Sequence, residues 1–444
     1  MSRGITTHLR DIGKRIRRRV LNGPGHARPS RRSQHALDWL SFFVADIQTG
    51  FGPFVAVYLA SGGWRPGEIG LVLTFGGIAA VLSQAPGGAL LDAMTAKRSL
   101  MAVALAMIAS GALMFAAWPQ FWPVTVAELL DGSAAGFLRI ALAAVGLGLV
   151  GHGALGRRLG RNQSFSSLGN AATVGLMGLL GHFTSGNAPF LFAGALCLPA
   201  GIALAMIRSR DIDYATARSA ADRENPRKGH RLRDHARNYR LHVFVLSLVL
   251  FQFANASLMP LAGARLGYDH RQGSELVGAI LILSPQLVAA VMAMAIARLA
   301  DDWGRKPILI LGLGLVGLRA LLFAAIADPW TLLPVQLLDG FSAAVIGVMM
   351  PLVIADLTRG TGRYNLAQGF AGMATGISAA ISTACSGYAV QLLGYTAGFL
   401  GLAVVGFAGA AILFWYFPET KAREQVDAAG QSAERARQAS KTSC

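Results

Sequence analysis

Between residues 37 and 417 the chain is built almost wholly of apolar runs long enough to cross a lipid bilayer. No other feature limits the fold as strongly. A helix needs about 20 apolar residues to span a hydrocarbon core about 30 Å thick. In that solvent every backbone polar group must find its partner within the protein, which leaves helices or closed barrels. Barrel strands would appear as alternating segments of about 10 residues, and the runs do not alternate. Twelve helical spans are expected, at 37–60, 68–92, 98–118, 121–151, 161–184, 188–208, 241–266, 274–300, 306–327, 329–356, 363–393 and 395–417. The expected fold class is an all-α integral membrane protein.

Charge is scarce, at 14% of residues against roughly 25% in soluble domains. The net charge of +17 is placed by topology. Arg and Lys crowd the N-terminal tail, the central loop (Arg208 to Arg240) and the C-terminal tail (Lys421 to Lys441). Smaller groups follow alternate spans: Lys97 and Arg98, Arg157, Arg158 and Arg161, Arg305 and Lys306, Arg359 and Arg363. The opposite loops carry little beyond Arg65, Arg265 and Arg271. This is the positive-inside pattern, which puts both termini and the central loop in the cytoplasm, with the protein in the cytoplasmic membrane. With the basic residues explained, no nucleic-acid partner is expected. The first apolar run is too long for a cleavable signal peptide. In the N-terminal tail Ile5, Leu9, Ile12, Ile16 and Val20 recur at helical spacing among arginines. A basic amphipathic helix on anionic lipid and a structureless basic tail both fit. Cys197, Cys385 and Cys444 form no metal or disulfide pattern, and no metal or cofactor is expected.

The chain is also duplicated. Ala297-Arg298-Leu299-Ala300-Asp301-Asp302-Trp303-Gly304-Arg305-Lys306-Pro307 joins two spans. A worn copy, Gly88-Ala89-Leu90-Leu91-Asp92-Ala93-Met94-Thr95-Ala96-Lys97-Arg98, joins two others 209 positions earlier. Glu68-Ile69-Gly70 recurs as Glu275-Leu276-Val277-Gly278, and Glu128-Leu129-Leu130-Asp131-Gly132 as Gln336-Leu337-Leu338-Asp339-Gly340. Each half holds six spans, an even number, so the halves are parallel repeats about an axis along the membrane normal. The expected organisation is a basic tail (1–36), a six-helix bundle (37–208), a linker (209–240), a second six-helix bundle (241–417) and a C-terminal tail (418–444).

Six plus six helices, a basic motif after spans 2 and 8 and a long middle loop resemble the major facilitator superfamily over about residues 37–417. The family's loop reads approximately G-x-L-x-D-R-x-G-R-K. Residues 297–306 match it with Ala297 for the first Gly and Asp302 for the first Arg; residues 88–98 keep Gly88, Leu90, Asp92, Lys97 and Arg98. The resemblance implies a cytoplasmic gate at Gly88, Asp92, Lys97 and Arg98 and at Asp301, Gly304, Arg305 and Lys306. In it, Asp92 and Asp301 would make charge–helix contacts. The R-x-x-Q-G often found on span 4 in the family is absent here, so its arginine-based proton mechanism does not carry over. Span 5 also lacks the Gly-Pro signature frequent in the family's antiporters.

A charge at bilayer depth costs at least about 2.5–3.5 kcal/mol and marks function by default. Helical rise puts Asp46 on span 1 and Arg139 on span 4 at similar depths, roughly 14–18 Å inside, which suggests an ion pair at the cavity wall. Arg319 and Asp339 flank a short turn at equal distances, so a second pair is expected, structural or coupling. Glu128 and Asp131, three apart on one helix, would raise each other's proton affinity. Either could bind the coupling proton, with Asp46 a further candidate; an unseen Arg or a wet outer vestibule would serve equally to neutralise them. Gln48, Thr49, Gln252 and Asn255 are substrate-binding candidates, or bonds to neighbouring helices. His152 and His182 fall at helix ends, as wetted interfacial histidines would.

Two GxGxxG matches, at 146–151 and 312–317, lie inside spans, where small residues serve helix packing rather than a dinucleotide. No Walker segment and no nucleophile constellation is present, so the chain is not expected to be an enzyme. The expectation is a monomeric secondary transporter in a bilayer, moving a small organic solute with protons by alternating access. Export is favoured, on the resemblance to bacterial efflux permeases. The alternatives are a proton-coupled importer, or a receptor or scaffold of the same fold that moves nothing.

Overall fold

The computed structural model describes residues 30–47, 55, 58–59, 62–183, 188–219, 239–269, 274–326 and 328–420. These contain no strand. In chain order the helices are α1 Arg31–Ile47, α2 Pro66–Ala93, α3 Lys97–Ala117, α4 Phe121–Val150, α5 His152–Phe183, α6 Ala188–Met206, α7 Tyr239–Ala256, α8 Leu258–Asp269, α9 Ser274–Trp303, α10 Arg305–Ala325, α11 Pro329–Leu357 and α12 Tyr364–Tyr416. Among the described residues, nine helical stretches are long and apolar enough to cross a membrane.

Helix α12 holds 53 residues, about 80 Å if continuous, more than twice a hydrocarbon core. It is divided at Gly394, whose φ of 85° suits a residue without Cβ. Expected spans 11 and 12 are therefore its two parts. Expected span 7 is broken at Ser257 into α7 and α8. Ser257 shares a 2.7 Å hydrogen bond with Ser382 of α12, and Ser378 donates to Val249 O at 2.7 Å. Such hydroxyl contacts hold helices together where apolar burial gives no preference over lipid.

Two helices start earlier than hydropathy suggests. Helix α1 begins at Arg31, not 37, and α5 at His152, not 161. Two of the three arginines that made 152–161 look like a loop, Arg158 and Arg161, are neutralised by a residue of α1. Asp38, 1% exposed, accepts from Arg158 at 2.5 Å and from Arg161. Asn162 adds 2.6 and 2.8 Å bonds to the Arg158 guanidinium.

Helices α1–α6 pack among themselves, with α2 on α4, α3 on α4 and α6, and α1 on α5 and α6. In the second half α7 and α10 pack on α12, and α9 on α11. The halves meet where α2 lies on α12 and where α5 lies on α9 and α11.

Candidate functional site

At the α2–α12 contact the helices touch backbone to backbone. A Cβ on Gly88 would fall 3.0 Å from Leu366 Cα and closer still to Asn365 O. A Cβ on Gly369 would be 3.0 Å from Ala85 Cα, and Gly376 faces Val81. One turn beyond Gly88, the Asp92 carboxylate sits at the first turn of α12. It accepts from Leu366 N at 2.8 Å, Asn365 N at 3.3 Å and Asn365 Nδ2 at 2.7 Å. These are the unsatisfied donors of a helix N-terminus, where negative charge is favoured.

The second motif is arranged differently. Asp301 lies 3.4 Å from Arg305 Nη1, and Arg305 Nε lies 3.4 Å from Asp356. Asp301 Oδ1 is 3.3 Å from the position of a Cβ on Gly156, so the α5–α9 contact is also close. Among the described residues no hydrogen bond runs from the α5 backbone to Asp301, however, and its partner is the cation of its own half. Gly304, with φ 99°, makes the turn into α10. The N–H groups of Arg305 and Lys306 donate to Glu419 at 2.9 and 3.0 Å. Lys97 is buried and donates to Leu91 O at the end of α2. Arg98 turns away from the α2–α12 contact and donates to Ser209 Oγ at 2.6 Å.

Part of the linker packs beneath this contact. Asn365 Nδ2 also donates to Ala217 O at 3.1 Å, and Gly362 N to Ser219 O at 3.1 Å. Ser219 Oγ lies 2.8 Å from His152 Nε2. The linker thus bridges the α4–α5 turn to the start of α12. Asp211, in a 3-10 turn of the same segment, accepts from Ser30 and Ser33, and these bonds hold its carboxyl below the usual range.

His152, expected to be wetted, is half-buried at the start of α5. Burial, then the charge of Arg359, pushes its imidazole down to about 4. The unfolded chain takes up this proton near pH 6.5, so stability rises with pH between about 4 and 6.5. Thermal midpoints of wild type and His152→Gln over that range are expected to diverge. Wild type should lose stability relative to the variant as pH falls, and parallel curves would rule the linkage out.

Within the apolar zone the structure joins Arg319 to Asp339 and gives Arg319 a second acceptor, Asn255 Oδ1 at 2.6 Å. Three helices, α7, α10 and α11, therefore meet at one guanidinium that is 2% exposed. Glu128 is buried on α4 against Gly76 of α2, and among the described residues no hydrogen bond or ion pair reaches it. Asp131 is partly buried one turn away. From Ala134 to Leu149 every residue of α4 is buried except Arg139, which is exposed. The helix thus presents one cation to open space. Gln252 is partly buried on α7. The Asp46 side chain, Gln48, Thr49 and the His182 side chain lie outside the described residues, as do the basic tails before Ser30 and after Thr420. No group of His, Cys, Asp or Glu that could hold a metal ion occurs among the described residues. The residue that sequence reading missed is Asp38. Its signal was an isolated carboxylate in an apolar run, matched by two arginines three apart.

A family model for the Major Facilitator Superfamily matches residues 38–284 and 244–442. An uncharacterized MFS-type transporter of Mycobacterium tuberculosis is 35% identical over 393 residues, which is 88% of this chain and 94% of that protein. The tetracycline resistance protein, class B, of Escherichia coli is 25% identical over 148 residues, 33% of this chain and 36% of that one. The crystal structure of the human organic anion transporter MFSD10 (TETRAN) matches in fold. Its TM-score is 0.66 at 19% identity, over 86% of this chain and 99% of that one.

Proposed function

Because this chain belongs to the Major Facilitator Superfamily, we propose that it exports a small organic solute across the cytoplasmic membrane, driven by protons. The bundles at 37–208 and 241–417 rock about a central site, with the linker and both termini in the cytoplasm. The observation that carries this reading is the Asp92 carboxylate on the first turn of α12. It is a polar, separable contact between halves, stacked on glycines that let the helices close. In this reading the α2–α12 contact is the closed, cytoplasmic side of the transport cycle. The relatives include a tetracycline resistance protein, which favours export.

Glu128 or Asp131 carries the coupling proton in this scheme. Burial makes a carboxylate's charge costly and so favours uptake of a proton. Arg139 faces the cavity, where Asp46 would pair with it. Gln48, Thr49 and Gln252 contact the solute. Asn255 serves the Arg319–Asp339 pair.

Proton movement in proteoliposomes under an imposed pH gradient tests the coupling. A panel of lipophilic and acidic solutes is expected to collapse the gradient in wild type. Glu128→Gln or Asp131→Asn should reduce this at least tenfold while counterflow survives. Collapse undiminished in both variants would remove the proton role from α4. Absence of counterflow with every solute would favour the receptor or scaffold.

A further inference from the structure

A groove of about 570 Å³ runs between α3 and α6. Neither helix packs substantially on the second half, and Val103 and Leu198, at 58% and 71% exposure, mark their outer faces. The groove therefore opens sideways into the bilayer. Its walls are made of small residues, among them Ala102, Ala106 and Gly201, and its floor of the buried Leu105, Cys197 and Leu204. It extends from Arg98 to Ala109, eleven residues along α3, about 16 Å. That is close to half of a hydrocarbon core about 30 Å thick, so the groove spans one leaflet, from the interface to the midplane.

Its linker end is polar, with Arg98, Ser99, Ser209 and Tyr214. Arg98 has only neutral acceptors there, Ser209 Oγ at 2.6 Å and Ala205 O at 3.2 Å. Its Nε is buried with no hydrogen-bond partner, and no carboxylate is paired with it among the described residues. A guanidinium left uncompensated at headgroup level, above an apolar slot one leaflet long, has an evident complement. Arginine recognises phosphate oxygens through paired N–H donors, and basic pockets between spans suit anionic headgroups.

We infer that this groove is a binding site for one anionic phospholipid, with its phosphate on Arg98 and an acyl chain lying between α3 and α6. Under the orientation proposed above the lipid comes from the cytoplasmic leaflet; the site itself does not depend on that orientation. It is separate from any lipid attracted to the basic tails, because it requires a chain as well as a charge.

The test is photolabelling of the full-length protein in nanodiscs. Phosphatidylglycerol and phosphatidylcholine probes each carry a diazirine in the acyl chain, and adducts are mapped by peptide mass. Phosphatidylglycerol is expected to label 98–109 and 194–205 and to be competed by unlabelled phosphatidylglycerol but not by glycerol phosphate. The phosphatidylcholine probe should label there at least fivefold less. Arg98→Gln should abolish the headgroup preference. Gly201→Phe should block labelling by both probes, since nothing lies within 4 Å of a Cβ there and the ring can fill the slot. Gly201→Phe keeps the inference testable if Arg98→Gln does not fold. Adducts spread evenly over all lipid-facing helices, equal labelling by both headgroups, or labelling unchanged in Gly201→Phe would each overturn it.

Discussion

Asp339→Leu is expected to abolish most of the folded protein, and Arg319→Met placed in the same chain is expected to restore it. The asymmetry follows from where the pair sits. Arg319 is 2% exposed at its side chain and packs beside Phe323, its guanidinium carbon 5.9 Å from the ring centroid. Removing the acid leaves a buried guanidinium with only Asn255 Oδ1 and weak ring attraction. Stranding one member of a buried pair costs about 3–5 kcal/mol. Replacing both members by apolar groups of similar volume is often neutral or stabilising by about 1–4 kcal/mol. Fluorescence-detected size exclusion and the thermal midpoint in detergent read this directly. A double variant as poorly folded as the single one would show that the pair itself, not the unpaired charge, maintains the packing of α7, α10 and α11. The double variant also separates the two roles open for this pair. Retained solute transport assigns it to structure; folded but inactive protein assigns it to the transport cycle.

The Arg319–Asp339 pair was legible in the sequence for a geometric reason. A short turn between antiparallel helices makes equal counts along the chain equal depths in the membrane. Other contacts were not legible, because no local count relates their partners. Asp38 and Arg158 are 120 positions apart, and Asp92 and Asn365 are 273 apart. Repetition and family resemblance marked Asp92 as important, but only the packing of α2 on α12 shows which donors it accepts. Hydropathy placed several uniformly apolar spans within two residues of the described helices, as at α3, α6 and α10, and it placed the division near Gly394, but it did not show the break at Ser257. It failed at the start of α5, where charge neutralised by another helix looks the same as charge neutralised by water. The same repeat that paired Asp92 with Asp301 also hid their difference. In one copy the carboxylate caps a helix of the other half, and in the other it is held by Arg305.

That difference makes Gly88 and Asp92 the most sensitive points of the proposed gate. Gly88→Leu is expected to reduce transport to background. Its Cβ would meet Asn365 O and lie 3.0 Å from Leu366 Cα, both backbone, so no side-chain rotation can relieve the overlap. The halves would then be unable to close at the linker end. Asp92→Asn is milder. It keeps the shape but removes the charge from the α12 N-terminus, where an anion contributes about 0.3–2 kcal/mol. A change of about 1–2 kcal/mol alters a two-state ratio about 5–30-fold. A reporter cysteine at Ala85, with the native cysteines replaced, lies inside the contact and reads the closure. Its labelling from the linker side by a membrane-impermeant maleimide should become nearly complete in Gly88→Leu and rise several-fold in Asp92→Asn. If Gly88→Leu transports normally, closure does not require these backbones to touch, and the gate must lie elsewhere. If only Asp92→Asn is silent, the glycine contact alone holds the halves together and the carboxylate merely satisfies the helix end.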